Sequence, residues 1–236
     1  EVEILFFDAF DNADIAQYSW QLKPSIVITR GGMNTPEQET PKSSLQSPWE
    51  SCYTLGSQWQ FKPTNENYKS GRELIEMLIE IRSKGGNFLL NLGPEPNGKV
   101  PFEQERRIRE LALWMFVNRE CIYNVRPWKV PRESGVWYTK AKDTNTVYAI
   151  VKKRRLKHKG SRVKLRLKHV KTTKSSKISV LGQNSKVLEY NPNRNPEIRW
   201  VQKRSRLKIS FMRAQRLYNN SKWPNPVVLK ITNVEV

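Results

Sequence analysis

The sequence is poor in cysteine and histidine and contains no long apolar run. Its two cysteines, Cys52 and Cys121, are too few for a disulfide framework. They are compatible with one bridge or with two buried free thiols, and the second is favoured. The two histidines, His158 and His169, lie in basic tracts without neighbouring ligands, so no metal site is predicted. No segment approaches the ~20 apolar residues that a membrane-spanning helix needs.

Acidic residues are also scarce, because 22 Asp and Glu face 42 Lys and Arg, and the net charge is +20. The excess lies in the last third of the chain, where residues 151–236 contain 24 basic and 3 acidic residues. In its densest tract, Lys164, Arg166 and Lys168 alternate with apolar residues, so one strand face is cationic. Such a field attracts sulfated glycans, acidic membranes or nucleic acid. No nucleic-acid motif or interleaved aromatic accompanies it, and a solvated sheet face is the simpler interpretation.

Residues 1–126 alternate between strand-like and helix-like patterns. Apolar recurrence at helical spacing predicts a helix around Leu74–Ile81 and a second over about Phe102–Asn118. Buried strands that alternate with helices indicate parallel strands in an α/β unit. A closed (β/α)₈ barrel needs eight strands and ~250 residues, so we expect a partial TIM-type barrel and a chain that is truncated. The predicted strands are Val2–Phe7, Ser25–Thr29, Cys52–Leu55 and Asn87–Leu92.

Residues 127–236 show a different pattern, with short alternating runs separated by turn residues and no long helix. We therefore predict a basic C-terminal domain built as a small antiparallel β-sandwich, with the boundary between residues 126 and 127. The predicted strands are Gly135–Thr139, Thr146–Val151, Val163–Leu167, Lys177–Leu181, Arg206–Phe211 and Val227–Val234.

Two carboxylates follow consecutive strands of the predicted barrel. Asp8 ends the first strand, and Glu37 lies a few residues beyond the second. In barrel enzymes the carboxyl ends of strands hold the catalytic groups, so Asp8 and Glu37 could face one sugar ring. From position alone, a helix-capping Asp and a surface-loop Glu are the favoured interpretations.

Several motifs occur around these carboxylates in a particular order. They are Phe7-Asp8, Thr35-Pro36-Glu37, Pro48-Trp49-Glu50-Ser51-Cys52, Trp59, the run Lys84–Pro94 (Lys-Gly-Gly-Asn-Phe-Leu-Leu-Asn-Leu-Gly-Pro) and Asn97-Gly98. This order resembles the family 29 glycoside hydrolases, the retaining α-L-fucosidases, and among them the subgroup active on α-1,3/1,4-linked fucose. The run Lys84–Pro94 is the most specific element of the resemblance. Segments of the C-terminal part, such as Val136–Thr139, resemble the β-sandwich of that family.

The resemblance implies roles for particular residues. Asp8 matches the nucleophile and Glu37 the general acid/base, while Arg30 falls where a related arginine approaches the sugar. Trp49, Glu50 and Trp59 match candidate substrate-binding positions, with ordinary barrel packing as the alternative. Two carboxylates suffice for this chemistry, so no cofactor or metal is implied. The partner would be a fucosylated glycan, and the family suggests a secreted, apoplastic or lysosomal location, although the sequence itself leaves the compartment unknown.

The chain also departs from the family pattern. Gly32 and Met33 stand where the family has an acidic residue before an aromatic one, and Gln60-Phe61 follows Trp59 where the family has Gly-Tyr. In the family, earlier barrel strands supply histidines that bind fucose hydroxyls, and this sequence has no histidine before His158. We therefore expect a retaining α-L-fucosidase whose isolated chain is weakly active or inactive. The alternative is a non-catalytic remnant whose basic β-sandwich binds anionic glycans or other polyanions.

Overall fold

The structure, a computed structural model, describes residues 2–8, 13–30, 33–152, 162–183, 193, 195–212 and 226–236. Its elements are, in chain order, β1 (Ile4–Phe6), α1 (Ala13–Leu22), β2 (Val27–Thr29), β3 (Glu50–Thr54), α2 (Gly71–Ser83), β4 (Asn87–Asn91), α3 (Phe102–Asn118), a short 3₁₀ helix (Arg119–Cys121), β5 (Val125–Glu133), β6 (Val136–Ala141), β7 (Val147–Val151), β8 (Arg162–Leu167), β9 (Ile178–Val180), β10 (Arg199–Lys203), β11 (Arg206–Met212) and β12 (Val227–Ile231). No helix in the described part of the chain is long and apolar enough to cross a membrane.

The chain forms two compact units. The first contains Glu1–Lys69 and Lys84–Glu105, and the second contains Ser70–Ser83 and Arg106–Val236. The domain boundary expected from the sequence between residues 126 and 127 stays a prediction.

The strands of the first unit pair in parallel. β1 pairs with β2, with Ile4 opposite Val27 and Phe6 opposite Thr29. The two strands are joined through α1, which is the connection that a parallel pair requires. α1 buries Ala16 in a small core with Ile26 and Ile28. Because the pairing is parallel, the residues that follow β1 and β2 emerge at the same edge.

A second parallel pair lies further along the first unit. β3 pairs with β4 over their whole lengths. The segment before β3 also pairs with β3 and the residue before it, through two isolated parallel bridges from Asn34 to Trp49 and from Glu37 to Cys52. The residues that follow β2 are thereby tied to the start of β3.

α2 belongs to the second unit, where it packs against β5 and β6. It begins with a capping box, since the Ser70 hydroxyl accepts a hydrogen bond from the backbone N–H of Glu73 at 3.2 Å and the Glu73 carboxylate accepts from the Ser70 N–H at 2.7 Å. Leu74, Ile75 and Ile79 on its buried face are completely inaccessible to solvent. The helical spacing of its apolar residues therefore matches the face that is covered.

The rest of the second unit is built from two antiparallel sheets. One has the order β5-β6-β7-β12-β9 and the other the order β10-β11-β8. Alternate residues of both sheets enter one apolar core, which includes Tyr138, Leu165, Phe211 and Leu229. β5 lies at the edge of its sheet, and its register shifts between Pro127 and Arg132. An edge position is where a strand tolerates proline, because the missing N–H leaves no ladder bond unmade.

Most of the predicted elements are present. α3 has the bounds predicted from the sequence, and the ten predicted strands appear with ends that differ by no more than three residues. α1, β5 and β10 were not predicted. Both cysteines are buried and free, which confirms the favoured interpretation.

Candidate active site

One arginine connects the two carboxylates that the sequence singled out. The Arg30 Nη1 atom lies 3.1 Å from Oδ1 of Asp8 and 3.0 Å from Oε2 of Glu37. The Asp8 side chain is 80% exposed, whereas those of Arg30 and Glu37 are 34% and 38% exposed. The group is therefore open to solvent on the Asp8 side and partly enclosed on the other side.

The backbone of Arg30 is held in an unusual conformation. Its φ angle is +43°, in the left-handed region that costs a side-chain-bearing residue free energy. The Arg30 N–H donates a 2.9 Å hydrogen bond to the Thr35 hydroxyl, which in turn donates to the Met33 carbonyl at 3.2 Å. The Arg30 guanidinium carbon also lies 5.9 Å from the centroid of the Phe6 ring. Thr35 therefore fixes the backbone of Arg30, and Phe6 contacts its guanidinium group.

Glu37 is positioned by its pairing with β3. The Cys52 N–H donates to the Pro36 carbonyl at 3.0 Å, and the Gln38 N–H donates to the Cys52 carbonyl at 2.8 Å. Glu37 lies between these two bonds, so its backbone is fixed on both sides. The Gln38 side chain adds a 3.0 Å bond to the Thr54 hydroxyl.

The electrostatic field of the site reaches the buried Cys52 thiol. Burial raises the pKa of this thiol, and the nearby carboxylates of Glu37 and Glu50 raise it further. Burial also raises the pKa of the half-buried Glu50 carboxyl. Cys52 is only 4% exposed. It is therefore a protonated packing residue beneath the site rather than a nucleophile.

The other predicted binding residues lie in different environments. Trp49 is 1% exposed, and a Cβ atom placed on Gly86 would come within 2.5 Å of its ring. This burial supports ordinary packing as the role of Trp49. Trp59, by contrast, is 37% exposed. Among the described residues, no hydrogen bond or ring contact joins Trp59 to Asp8, Arg30 or Glu37.

The segment after β4 is fixed by a side-chain amide. Gln104 accepts a 3.1 Å hydrogen bond from the Gly93 N–H and donates a 2.9 Å bond to the Gly93 carbonyl. A Cβ atom on Gly93 would lie 2.6 Å from the backbone of Gln60. The glycine therefore lets the segment that follows Trp59 pass close to the end of β4.

The arrangement suits chemistry that needs two carboxylates at one centre. Because both carboxylate oxygens contact the same nitrogen atom, they are no more than about 6 Å apart. Retaining glycosidases separate their carboxyl groups by about 5–5.5 Å and inverting ones by about 6.5–9.5 Å. The two oxygens that contact Arg30 are thus closer together than the inverting separation.

Sequence reasoning did not anticipate the contacts of two residues in the site. The motif that contains Thr35 does not predict that its hydroxyl holds the Arg30 backbone. The strand pattern that contains Phe6 does not predict that its ring faces the guanidinium. The spacing of Thr35 five residues after Arg30 was a usable signal, since a short turn between them can be closed by a side-chain oxygen.

Solved structures of α-L-fucosidases share the fold of this chain. "Alpha-L-fucosidase isoenzyme 1" from Paenibacillus thiaminolyticus matches 99% of the chain and 58% of its own length, with a TM-score of 0.74 and 21% identity. An α-L-fucosidase from Bacteroides thetaiotaomicron, solved as a trapped covalent intermediate with 2-fluoro-fucosyl fluoride, matches 100% of the chain and 57% of its own length, with a TM-score of 0.70 and 18% identity.

Curated relatives match about half to two thirds of the chain in sequence. The α-L-fucosidase of Branchiostoma floridae is 40% identical over 133 residues, which cover 53% of this chain and 29% of the relative. The tissue α-L-fucosidase of Homo sapiens is 33% identical over 159 residues, which cover 64% of this chain and 32% of the relative. The chain thus spans about a third of the length of the curated relatives that it matches. The model of the family described as α-L-fucosidase matches residues 13–120. Residues 13–120 of the chain are thus similar to the α-L-fucosidase family.

Proposed function

We propose that this chain provides the catalytic carboxylates of a retaining α-L-fucosidase, which removes terminal α-1,3- or α-1,4-linked fucose from glycans. The observation that carries the proposal is the contact of one Arg30 nitrogen with both Asp8 and Glu37. The match of the α-L-fucosidase family model to residues 13–120 supports the reaction class. A non-catalytic remnant is less well supported, because it gives no reason for the two carboxylates to share one cation.

In the first step, the Asp8 carboxylate attacks C1 of fucose while the bond from C1 to the glycosidic oxygen breaks. Glu37, entering as the carboxylic acid, gives its proton to the departing oxygen. The products of this step are the shortened glycan, a fucosyl ester on Asp8 and an ionised Glu37. Asp8 suits the nucleophile because it is the more exposed carboxylate of the two.

In the second step, Glu37 acts as a base. It takes a proton from a water molecule whose oxygen attacks C1, and the ester bond to Asp8 breaks. Fucose leaves with its original anomeric configuration, and both carboxylates return to their starting states. Arg30 would hold the two carboxylates in place and offer its other N–H groups to the sugar.

The other predicted contacts complete the proposed site. Glu50 is half-buried on β3 with a raised pKa, which suits a carboxyl group that binds a sugar hydroxyl. Trp59 offers an exposed aromatic face that suits the apolar methyl side of fucose. Trp49 would act from beneath, as a buried support for β3.

We propose that the first unit is part of a (β/α)₈ barrel. Parallel pairing of β1 with β2 and of β3 with β4 supports this, as does the position of Asp8 and Arg30 just after strand ends. The first unit contains no histidine. The resemblance assigns fucose-hydroxyl contacts to histidines, so we expect the 236 residues alone to bind fucose weakly.

A mechanism-based label tests the nucleophile even when binding is weak, because a covalent adduct accumulates with time. The chain would be incubated with 2-fluoro-fucosyl fluoride, the reagent present in the trapped Bacteroides intermediate. Peptide mass mapping should find the added fluorofucosyl group on Asp8, and Asp8→Ala should remain unlabelled. Modification of a different carboxylate would refute the assignment.

Azide separates the roles of the two carboxylates during turnover of an aryl α-L-fucoside. Glu37→Gln should lower turnover by about 10²–10⁴-fold, and with a substrate that has a good leaving group azide should restore turnover as the α-fucosyl azide. Asp8→Ala with azide should instead yield the β anomer, because only one displacement occurs. Glu39→Gln, an exposed carboxylate two residues from Glu37, is the matched control and should keep wild-type activity.

We also propose a second role, in which the basic second unit binds an anionic polysaccharide. The alternation of exposed Lys164 and Arg166 with buried Val163 and Leu165 along β8 favours it. This role concerns a surface other than the carboxylate site and is independent of turnover.

A further inference from the structure

The outer face of the three-stranded sheet β10-β11-β8 is cationic across all three strands. Along β8 and β11 the apolar residues are buried and the intervening basic residues are exposed. On β10, Arg199 and Lys203 are exposed as well. We name as the basic face the six residues Lys164, Arg166, Arg199, Lys203, Arg206 and Lys208. The strands β8, β10 and β11 contain no acidic residue.

The strand register places these side chains on one side of the sheet. Lys208 pairs with Arg166 on one neighbour and with Val201 on the other. Lys203 pairs with Arg206. Directly paired residues project from the same face, and neighbouring strands are about 4.8 Å apart. The basic face is therefore a grid of cations rather than a loose collection of surface charges.

This grid opposes the stability of the fold. Like charges placed directly opposite each other on a sheet are destabilising, and the face contains two such pairs, Arg166 with Lys208 and Lys203 with Arg206. A bound polyanion would remove that repulsion and release its own counterions. The arrangement is thus better suited to a complex with a polyanion than to the free protein.

The composition of the face favours sulfated sugar over nucleic acid. Three of the six residues are arginines, whose planar groups bind oxyanions with two parallel hydrogen bonds. Val201 and Ser210 occupy the remaining paired positions between the cations, so these positions offer no aromatic ring for bases to stack on. Trp200 pairs with Ile209, a buried core residue, and so belongs to the opposite side of β10.

We infer that the basic face is the binding site for a sulfated polysaccharide, a linear polymer that lies across β8, β11 and β10. The inference rests on the second role proposed above and assigns it to one surface and one ligand class. Five cations of the tract before β8, Lys153, Arg154, Arg155, Lys157 and Lys159, fall outside the described residues and carry none of it. Lys152 belongs to the interior, since its ammonium group bonds to the Glu76 carbonyl at 3.2 Å and lies 5.0 Å from the Trp137 ring centroid.

The test compares two triple variants of the 236-residue chain on immobilised dextran sulfate. The face variant carries Arg166→Ser, Arg206→Ser and Lys208→Ser. The control variant carries Lys142→Ser, Lys174→Ser and Lys177→Ser, three exposed lysines outside the face. Both lose three positive charges, so an effect of net charge alone would be equal in the two.

We expect the face variant to bind at least roughly tenfold more weakly at about 0.15 M salt, with the salt slope of log affinity reduced by about 3. The control variant should stay close to wild type. Thermal unfolding should show the face variant at least as stable as wild type, because the like-charge pairs are gone. Equal loss in both variants would overturn the assignment to the face and leave the second role standing.

Competition identifies the ligand class. Soluble dextran sulfate should displace the chain from the surface, whereas unsulfated dextran should not. Equal displacement by polyglutamate or duplex DNA at matched charge concentration would overturn the choice of a sulfated polysaccharide. If wild type fails to bind dextran sulfate at about 50 mM salt, the second role fails together with the inference. Labelling of Asp8 by 2-fluoro-fucosyl fluoride is unaffected by either result.

Discussion

Gly86 is the residue at which two sequence motifs meet in space. It lies in the run Lys84–Pro94, and the position where a Cβ atom would stand faces the ring of Trp49 from the Pro-Trp-Glu motif. A methyl group there would come within 2.5 Å of ring carbons that are 1% exposed and cannot move into solvent. The glycine is thus required by packing against a buried indole.

Gly86→Ala should therefore destabilise the first unit by roughly 1–3 kcal/mol, the usual cost of overpacking a core. The matched control is Gly98→Ala, where nothing lies within 4 Å and only the φ of +82° opposes the change. Denaturant unfolding would measure both variants. Adding Trp49→Leu should cancel the effect, so the double variant should be no less stable than Trp49→Leu alone. A double variant that loses stability additively would contradict the proposed clash.

Thr35 is the second residue whose role can be tested singly. Its hydroxyl accepts the Arg30 N–H and helps to hold a φ of +43°. Thr35→Val keeps the shape and removes the acceptor, so Arg30 should relax and release the two carboxylates. We expect labelling of Asp8 by 2-fluoro-fucosyl fluoride to slow by roughly tenfold or more. Thr35→Ser retains the oxygen and should restore the rate, which a purely steric role of threonine would not explain.

The sequence predicted which residues of the site would meet, but not how they are held. Asp8 and Arg30 follow parallel strands, and adjacent strand ends are close in any such sheet. The Thr35 bond and the stacking of Arg30 on Phe6 depend on side-chain geometry after a turn. Such contacts leave no periodic trace in a sequence. The sequence does not predict the burial of Trp49 either, because a tryptophan beside a glutamate suits both a substrate-binding site and a packed interior.

At the scale of elements, the second unit contains a carboxylate latch between β5 and the chain after β8. The Glu133 side chain, 8% exposed, accepts hydrogen bonds from the Tyr138 hydroxyl at 2.6 Å and from the backbone N–H groups of Lys168 and His169 at 3.0 and 3.3 Å. Burial alone would raise the pKa of Glu133, but these bonds outweigh it and the pKa is lowered. The ionised carboxylate therefore stabilises the fold.

This latch predicts a pH dependence with a definite sign. Because the folded pKa of Glu133 is below its unfolded value of about 4.3, its contribution is complete above that value and is lost as the pH falls through the folded pKa. Glu133→Gln should lower the free energy of unfolding at pH 7 by about 1.5–3 kcal/mol, and the deficit should shrink below about pH 4. Glu235→Gln, whose carboxylate is 59% exposed and 3.6 Å from Lys171, should change little at either pH. An equal deficit at pH 7 and pH 3 would contradict the latch.

The elements that escaped prediction lack the expected patterns for physical reasons. Arg199, Trp200 and Val201 of β10 are all exposed, so the strand exists through its pairing with β11 rather than through alternation. β5 contains Pro127, which is tolerated because the strand lies at an edge. In α1 only Ala16 is buried, so its apolar residues form no single covered stripe. By contrast, α2 and α3 were predictable because one face of each carries regularly spaced apolar residues.

At the scale of the whole molecule, apolar burial is distributed unequally between the two units. In the second unit β6, β7 and β12 are central strands, and all five residues of β7 are buried. In the first unit, β1 and β2 have three residues each, and Ile4, Phe6 and Val27 are 61%, 38% and 48% exposed. Local stability follows apolar burial and backbone pairing, so the two units should not resist unfolding equally.

Hydrogen exchange with mass analysis would measure this difference directly. We expect amides of β7 and β12 to exchange at least about 10²-fold more slowly than those of β1 and β2, because opening a three-residue pair exposes little buried surface.

A dye that fluoresces on apolar surfaces tests the exposed residues of β1 and β2. It should bind the chain, and the double substitution Ile4→Ser with Val27→Ser should weaken its binding more than Val100→Ser, which changes an exposed valine outside these strands.

In the exchange experiment, equal protection of β1 and β7 would mean that the two units unfold as one cooperative body. Unequal protection would mean that the first unit, which contains the carboxylate site, can unfold while the second unit stays folded. The basic face would then remain intact when the carboxylate site is lost.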